Sequence, residues 1–399
     1  MIKRTPKTIV NALLDRLIKK RHRRLPVKGN VPSVTLVTSW SKQCGIATYS
    51  EFLAQELKKI TELYVCEVPS KNALNPLYKT MGYSVGHSND LVHVQFEYGI
   101  FPSLKLGKRT LTAFAALPFY LGLARGDRVV VTTLHEPRKT ISAGGRSGFL
   151  YTQMLDKLMF SVSDLIIVHT QESKRLMQTL YGVEEAKLRV IAHGSYEQPK
   201  FMKKDEAKGK LGLTGKTVLT ILGFVTPKKG HDLLIPLLPK IDKNVQLVIA
   251  GGPQNAGDAG YLEKLKRMVE QFGCQDRVTF TGYLPDLAPI LNATDVAVLP
   301  YRTVTDSGVL HLLTAYGVPT VASNLAAFNE IHEQFGCLEL FTVGDATDLY
   351  YKLQAVLTDG KLQSMLKVKC GDMWRATRWS SIAKQHLEAY QSLLSPDST

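Results

Sequence analysis

Cysteine is scarce in this 399-residue sequence, and its spacing is uninformative: Cys44, Cys66, Cys274, Cys337 and Cys370 are scattered and never fall as C-x-x-C. Such spacing points to neither a disulfide framework nor a zinc site. Reduced thiols in a cytosolic compartment are the simplest account. Cys44 alone falls in a suspected ligand loop, where a small buried neighbour is expected in preference to a nucleophile. No apolar run reaches the roughly 20 residues that a membrane span needs. The uncharged stretch Thr110–Ala124 contains Pro118 and reads as a buried helix, with shallow membrane contact as the alternative. A secretory signal is missing too, because Asp15 and a Lys/Arg run interrupt any apolar N-terminal core. Neither G-x-G-x-x-G after a first strand nor G-x-x-x-x-G-K-[ST] occurs, which argues against a dehydrogenase and a P-loop enzyme. Carboxylates with metal-ligand spacing are absent, so no metal requirement is expected.

The formal net charge of +15 is unevenly placed, and residues 1–28 carry ten Lys/Arg against Asp15. Ile9, Val10, Leu13, Leu14, Leu17 and Ile18 recur there at helical spacing. A basic amphipathic helix fits an anionic membrane surface, at about 1 kcal/mol per basic residue near the headgroups. That would make the protein cytoplasmic and peripheral on the cytoplasmic membrane face. A solvated tail is the alternative, and nucleic acid is a weak third reading because no aromatics interleave the charge.

From residue 33 onward short β-branched runs alternate with helical patterns. Strands are expected at Ser33–Thr38, Leu63–Glu67, Leu91–Gln95, Arg128–Thr133, Leu165–His169 and Leu188–Ala192. Helices are expected at Ala47–Lys59, Gly148–Val162 and Gln171–Tyr181. After a polar stretch at His193–Gly215 the alternation restarts. Strands then fall at Val218–Leu222, Gln246–Ala250, Arg277–Thr281, Val296–Leu299 and Thr320–Ala322. Helices fall at about His231–Leu238, Leu262–Phe272, Leu287–Ala293 and Val309–Tyr316, and a last one at Ser381–Leu394. This implies two α/β halves with mainly parallel sheets, each binding ligand at its carboxyl edge. The expected organisation is a basic segment over 1–30, one Rossmann-like domain over 31–197, a second over 198–375, and a C-terminal helix over 376–399 packing back across the domains. A substrate cleft between facing domains is expected.

Residues 300–323 carry the most chemistry. A strand ends at Pro300, a polar turn follows, and Ser307-Gly308 opens an apolar helix stopped by Gly317 and Pro319. The free N–H groups of Ser307, Gly308, Val309 and Leu310, the positive helix end and the small Gly308 make a phosphate cradle. Arg302 is a second cation for it. Four other strand-end loops hold candidates. Gly45 precedes a helix within Ser39–Ser50. Glu97 in His93–Phe101 is an acid/base or hydroxyl-binding group, or simply an exposed carboxylate. His135 in Thr133–Pro137 faces a crevice. Lys229 in Gly223–Asp232 offers a point charge to a diphosphate. Asp306 is a candidate sugar-binding carboxylate and equally a helix N-cap.

Taken together these loops resemble family 4 glycosyltransferases, over nearly the whole stretch from 33 to 393. The resemblance rests on Gly-Ile-Ala-Thr-Tyr-Ser (45–50), His-Val-Gln-Phe-Glu-Tyr-Gly-Ile-Phe (93–101), Leu-His-Glu-Pro (134–137), Lys229, Gly282-Tyr-Leu-Pro-Asp286, and Pro-Tyr-Arg with Asp-Ser-Gly-Val-Leu (300–310). It implies the GT-B fold, two Rossmann-like domains facing each other across a cleft. It also implies retaining transfer of a sugar from a nucleotide sugar to a hydroxyl of a glycan or lipid-linked acceptor. His135 inherits a contact to the donor sugar, Lys229 neutralisation of the diphosphate, and Gly282, Tyr283 and Leu284 the border of the base. The co-substrate is UDP- or GDP-linked, with no other cofactor. Two departures stand out. The family's arginine five residues before its lysine is Phe224 here, and its two glutamates eight apart are Val304 and Leu312. Rival readings are an epimerase or phosphorylase on the same scaffold, and a nucleotide-binding module without chemistry.

Overall fold

In the computed structural model the described residues are 31–395, apart from 41–43, 70–71, 108, 139–144 and 198. The basic segment 1–28 lies outside them. The chain divides into two compact units, one running to Ala192 and resuming at Trp379, the other spanning His193–Arg378.

In the first unit the strands are β1 (Ser33–Thr38), β2 (Glu62–Glu67), β3 (Leu91–Phe96), β6 (Val129–Leu134), β7 (Leu165–Val168) and β8 (Leu188–Val190). They form one sheet in the order β2-β1-β3-β6-β7-β8, parallel throughout. Its helices are α1 (Gly45–Leu57), α2 (Leu77–Val85), α3 (Ala116–Leu123), α4 (Gly145–Val162), α5 (Gln171–Tyr181) and the last helix of the chain, Trp379–Leu394. Strand alternation sorts the apolar side chains to two faces. Val92, Val94, Val130 and Ile166 pack with Phe119, Tyr120 and Leu155, while Leu91, Val131 and Ile167 pack with Leu53, Leu57, Ile382 and Tyr390. Each such side chain contributes about 1.5–3 kcal/mol when fully buried.

The sequence reading of Thr110–Ala124 as one helix needs correction. Thr110 and Leu111 belong to β5 (Arg109–Leu111), which pairs antiparallel with β4 (Leu104–Leu106). Only Ala116–Leu123 is helical, with Pro118 in its first turn, where a missing N–H costs nothing. The membrane alternative also falls for this stretch, since Ala113, Ala116, Phe119, Tyr120 and Leu123 are core. Helix α3 sits backbone to backbone on α2. A Cβ on Gly82 would collide with the Phe119 carbonyl, and one on Gly122 with that of Lys79.

The second unit repeats the plan. Strands β9 (Thr217–Leu222), β10 (Val245–Ala250), β11 (Val278–Phe280), β12 (Val296–Leu299), β13 (Thr320–Ser323) and β14 (Leu338–Phe341) form a parallel sheet ordered β11-β10-β9-β12-β13-β14. Its helices are α6 (Lys204–Lys210), α7 (His231–Leu234), α8 (Ala256–Gln271), α9 (Ala288–Ala293), α10 (Gly308–Ala315), α11 (Ala326–Phe335), α12 (Ala346–Thr358) and α13 (Gly360–Thr377); Trp379–Leu394 is then α14. The expected helix His231–Leu238 stops at Leu234 and continues as 3-10 turns over Ile235–Lys240, because Pro236 and Pro239 cannot sustain the longer hydrogen bonds. The helix expected from Leu262 starts at Ala256, capped by Asn255, whose side chain accepts from the Gly257 and Asp258 amides. The sequence reading assigned no element to α2, the β4–β5 hairpin, β14 or helices α11 to α13. Among the described residues no helix is long and apolar enough to cross a membrane.

Candidate functional site

In the second sheet the strand order reverses between β9 and β12, so the loops after these two strands flank the crevice where open α/β sheets bind ligands. After β9 the chain turns through Gly223, at φ +106°. The point where a Cβ on Gly223 would lie is 2.6 Å from Lys229 Nζ and 3.2 Å from Val309 Cγ2. The lysine ammonium and the first turn of α10 therefore converge on one spot, which a larger residue would fill. Gly230, at φ +65°, tightens this loop. Its missing side chain makes room for the Pro300 carbonyl at the end of β12. Lys229 Nζ donates to Tyr301 Oη at 3.0 Å and lies 4.8 Å above the Tyr301 ring, contacts that aim a flexible side chain.

Four free amides were expected at the start of α10; the structure leaves two. Ser307 N–H donates to Asp306 Oδ1 at 2.6 Å, and Leu310 N–H to Ser307 Oγ at 3.3 Å, so Ser307 is the N-cap. The amides of Gly308 and Val309 have no hydrogen-bond partner among the described residues and remain available to an anion. Sterics do not require glycine at 308, because a Cβ there would rest on the His193 ring at an ordinary 3.6 Å. Asp306 is turned toward His311, with Oδ1 3.4 Å from Nε2.

Arg302, expected to bind phosphate, is engaged within its own unit. It donates to the Pro227 carbonyl at 2.7 Å and pairs with Asp232 at 2.9 Å, and its backbone N–H donates to the Lys228 carbonyl at 2.7 Å. These bonds clamp the lysine loop to β12, so the structure gives Arg302 a supporting place around Lys229. Burial pushes the Asp232 carboxyl up, but hydrogen bonds from Arg302 and Tyr261 outweigh it and hold Asp232 below its ordinary range. Beside it, His231 is fully buried; desolvation first, and Lys229 second, lower its pKa to about 3. Sequence reasoning singled out neither His231 nor Asp232, and the partners of Asp232, Tyr261 and Arg302, lie 29 and 70 residues along the chain.

On the same sheet edge Gly282, at φ +68°, follows β11, and Tyr283 stands 74% exposed with Leu284 packed against the core. Phe224 is exposed at the end of β9, while Leu312 is buried and Val304 packs partly on the same cluster. The apolar replacements of the two glutamates are thus packing residues.

In the first unit the order reverses between β1 and β3. Gly45 opens α1 with open space at its Cβ. Cys44, expected to be buried, is exposed and caps α1, its Sγ accepting from the Ala47 amide at 3.4 Å. Parallel pairing of Phe96 with Leu134 brings Glu97 and His135 to neighbouring strand ends. Burial, reinforced by Glu136, raises the Glu97 pKa, although its Oε2 accepts from the Gly99 amide at 2.6 Å. The His135 ring is held by Gln95 Oε1, 2.8 Å from Nε2, by His169, 3.2 Å from Nδ1, and edge-on by Tyr49 at 4.7 Å. Gln95 and His169 were missed by sequence reasoning, although both lie on or beside strands already assigned.

Two parallel α/β units, each with a switch-point crevice, define the GT-B architecture. Residues 215–359 match the family described as Glycosyl transferases group 1, so the second unit carries a glycosyl transferases group 1 domain. Among curated proteins, D-inositol 3-phosphate glycosyltransferases of Mycobacterium bovis and Mycobacterium tuberculosis are 30% identical over 169 residues, 40% of this chain. The match spans about a third (34%) of those relatives' length. Among solved structures, HepE of Anabaena in complex with UDP and glucose aligns with a TM-score of 0.72 at 17% identity, over 91% of this chain and all of that one. WaaG, a glycosyltransferase involved in lipopolysaccharide biosynthesis, aligns with a TM-score of 0.63 at 14% identity, over 90% of this chain and 99% of that one.

Proposed function

We propose that the protein is a retaining, metal-independent glycosyltransferase that moves a sugar from a nucleotide sugar to an acceptor hydroxyl. The observation carrying this reading is the convergence of Lys229 Nζ and the first turn of α10 on the empty Cβ position of Gly223. Breaking the anomeric bond develops negative charge on the leaving diphosphate. A preorganised ammonium and two free amides stabilise that charge where it appears, and the lysine is already aimed by Tyr301. Gly282, Tyr283 and Leu284 border the base, with the exposed Tyr283 ring available to it. His135, its ring fixed on both nitrogens, contacts the donor sugar, and Glu97 serves the acceptor hydroxyl. Asp306 supports the phosphate turn. Relatives named for a phosphorylated inositol acceptor and a fold neighbour named for lipopolysaccharide synthesis favour a glycan, glycolipid or lipid-linked acceptor. Such an acceptor fits attachment of residues 1–28 to an anionic membrane on the cytoplasmic face.

Calorimetric titration of UDP, GDP and ADP tests the donor, and UDP comes first because the HepE complexes contain it. Micromolar binding of one of them, followed by slow hydrolysis of its sugar conjugate, is expected. Failure of all three at millimolar concentration would overturn the reading in favour of a module without this chemistry. Deleting residues 1–28 is expected to abolish binding to vesicles containing phosphatidylserine, and unchanged binding would remove the membrane assignment.

A further inference from the structure

A guanidinium at the strand ends of the first unit is held in place by core groups while its own N–H donors stay unused. Arg138 lies in the loop after β6. Its Cζ is 3.4 Å from the centroid of the Tyr98 ring, so the flat cation stacks on the ring face. Tyr98 is a firm platform. It is buried, its hydroxyl donates to Oδ1 of the buried Asp156 at 2.7 Å, and its ring meets Phe96 edge-on at 5.1 Å. The Arg138 backbone is held as well, since Tyr181 Oη donates to its carbonyl at 3.0 Å. The half-buried guanidinium itself makes no hydrogen bond or ion pair with the described residues. Stacking covers one face of the fork and leaves the in-plane N–H groups to a ligand.

The surrounding charge selects the ligand. Pairing of Phe96 with Leu134 brings Glu97 beside this loop. Glu136 and Arg138 both lie close enough to act on the Glu97 charge, and Arg138 also acts on that of Asp156. Arg138 thus stands among Glu97, Glu136 and Asp156. Burial raises the Glu97 pKa, and Glu136 raises it by more than Arg138 lowers it. A phosphate or carboxylate accepts hydrogen bonds without donating any. It would satisfy Arg138 but set its charge and lone pairs against Glu97 and Glu136. A sugar hydroxyl both donates and accepts, so two adjacent hydroxyls take N–H groups from Arg138 and give O–H to Glu97 without adding charge. We propose that Arg138 and Glu97 form a subsite for adjacent hydroxyls of an uncharged sugar ring, so that the ring receiving the transferred sugar is neutral and neither phosphorylated nor uronic. The inference rests on the acceptor role proposed for Glu97 and deepens it by naming the class of ring. Arg138 supplies the paired donors, and the acids around it reject an anion that a lone arginine would otherwise attract.

Ligand-observed NMR on the full chain tests this with matched neutral and charged probes. The pairs are methyl α-D-glucoside against methyl α-D-glucuronide, and myo-inositol against myo-inositol 3-phosphate; methyl α-D-mannoside and methyl α-D-galactoside widen the neutral set. At least one neutral ring is expected to bind with millimolar affinity, and the charged member of each pair at least tenfold more weakly than its neutral partner. Arg138→Met should weaken the neutral ring at least fivefold, and Arg138→Lys should not restore it, because an ammonium keeps the charge and loses the paired donors. Glu97→Gln should narrow the preference for the neutral member, a change of selectivity that a purely structural role would not produce. Thermal unfolding checks that the variants fold, and the wild-type selectivity needs no variant. A charged ring binding as tightly as its neutral partner, no neutral ring binding at millimolar concentration, or a folded Arg138→Met variant with wild-type affinity would overturn the proposal. Absence of nucleotide binding in the calorimetric titration would sink the donor reading instead, while the glycoside affinities decide this subsite by themselves.

Discussion

Replacing Lys229 by methionine tests the donor site most directly, because it removes the charge and keeps most of the stem. The ammonium sits 3.0 Å from Tyr301 Oη and is half-buried, so it lies in neither bulk water nor a dry interior. Two unit charges 4 Å apart attract by about 4 kcal/mol at an effective dielectric constant of about 20. Partial exposure reduces that figure, and about 2–3 kcal/mol is a reasonable expectation, a factor of roughly 30 to 150. Charge grows on the diphosphate as the anomeric bond breaks, so the loss should be larger in the transition state than in the ground state. Single-turnover transfer with saturating acceptor should therefore slow by more than the nucleotide affinity falls. Calorimetry gives the affinity, and urea unfolding checks that the fold is intact. A variant within threefold of wild type in both affinity and rate would refute the assignment of Lys229, and with it the convergence on Gly223 as the donor site.

His135→Ala should impair transfer at least tenfold while leaving the affinity for the nucleoside diphosphate within about twofold; an equal loss in both would place His135 in nucleotide binding. Gly230→Ala forces a side chain to φ +65° and into the Pro300 carbonyl, so urea unfolding should show a loss of at least about 1–3 kcal/mol, and unchanged stability would mean that the loop rearranges freely. His231 gives the stability an acid limb. Its folded pKa, about 3, lies below its unfolded value near 6.5, so its contribution is complete above pH 6.5 and is lost as pH falls from there toward 3. His231→Phe should flatten that part of the stability–pH curve, and an unchanged slope would show that other groups set it.

Much of the architecture was legible because burial on both faces leaves a plain record in parallel strands. Ser33–Thr38 and Val296–Leu299 fall where their β-branched runs begin and end, and Gln171–Tyr181 lies between Thr170, which caps it, and Gly182 in the left-handed conformation. Such signals are local, requiring only side chains, caps and turn residues close in sequence. Helices α12 and α13 carry equally good local signals in the Asp345 and Asp359 caps, whereas α11 follows Leu325, which offers no capping side chain. The merging of Thr110–Leu111 with α3 is different in kind, since that apolar run reads alike as strand or helix until Leu104–Leu106 supplies a pairing edge.

The sequence by itself determined that two parallel sheets form, that a lysine and a helix start lie at strand ends of the second, and that the family's two acidic positions are apolar here. Only the tertiary structure decided how those groups are used. Arg302 meets Asp232, 70 residues away, and so supports the lysine loop. Leu310 N–H and Ser307 N–H are taken by neighbouring side chains, which leaves Gly308 and Val309 for a ligand. Asp306 Oδ1 lies 3.4 Å from His311 Nε2, and the other ring nitrogen of His311 is hydrogen-bonded to Ser195, 116 residues earlier in the chain. A hydrogen bond commits one proton to one partner, and sequence spacing does not reveal which of several nearby acceptors receives it. Strand periodicity brought the candidates to one edge of the sheet, and long-range polar contacts then decided which of them remain available to a substrate.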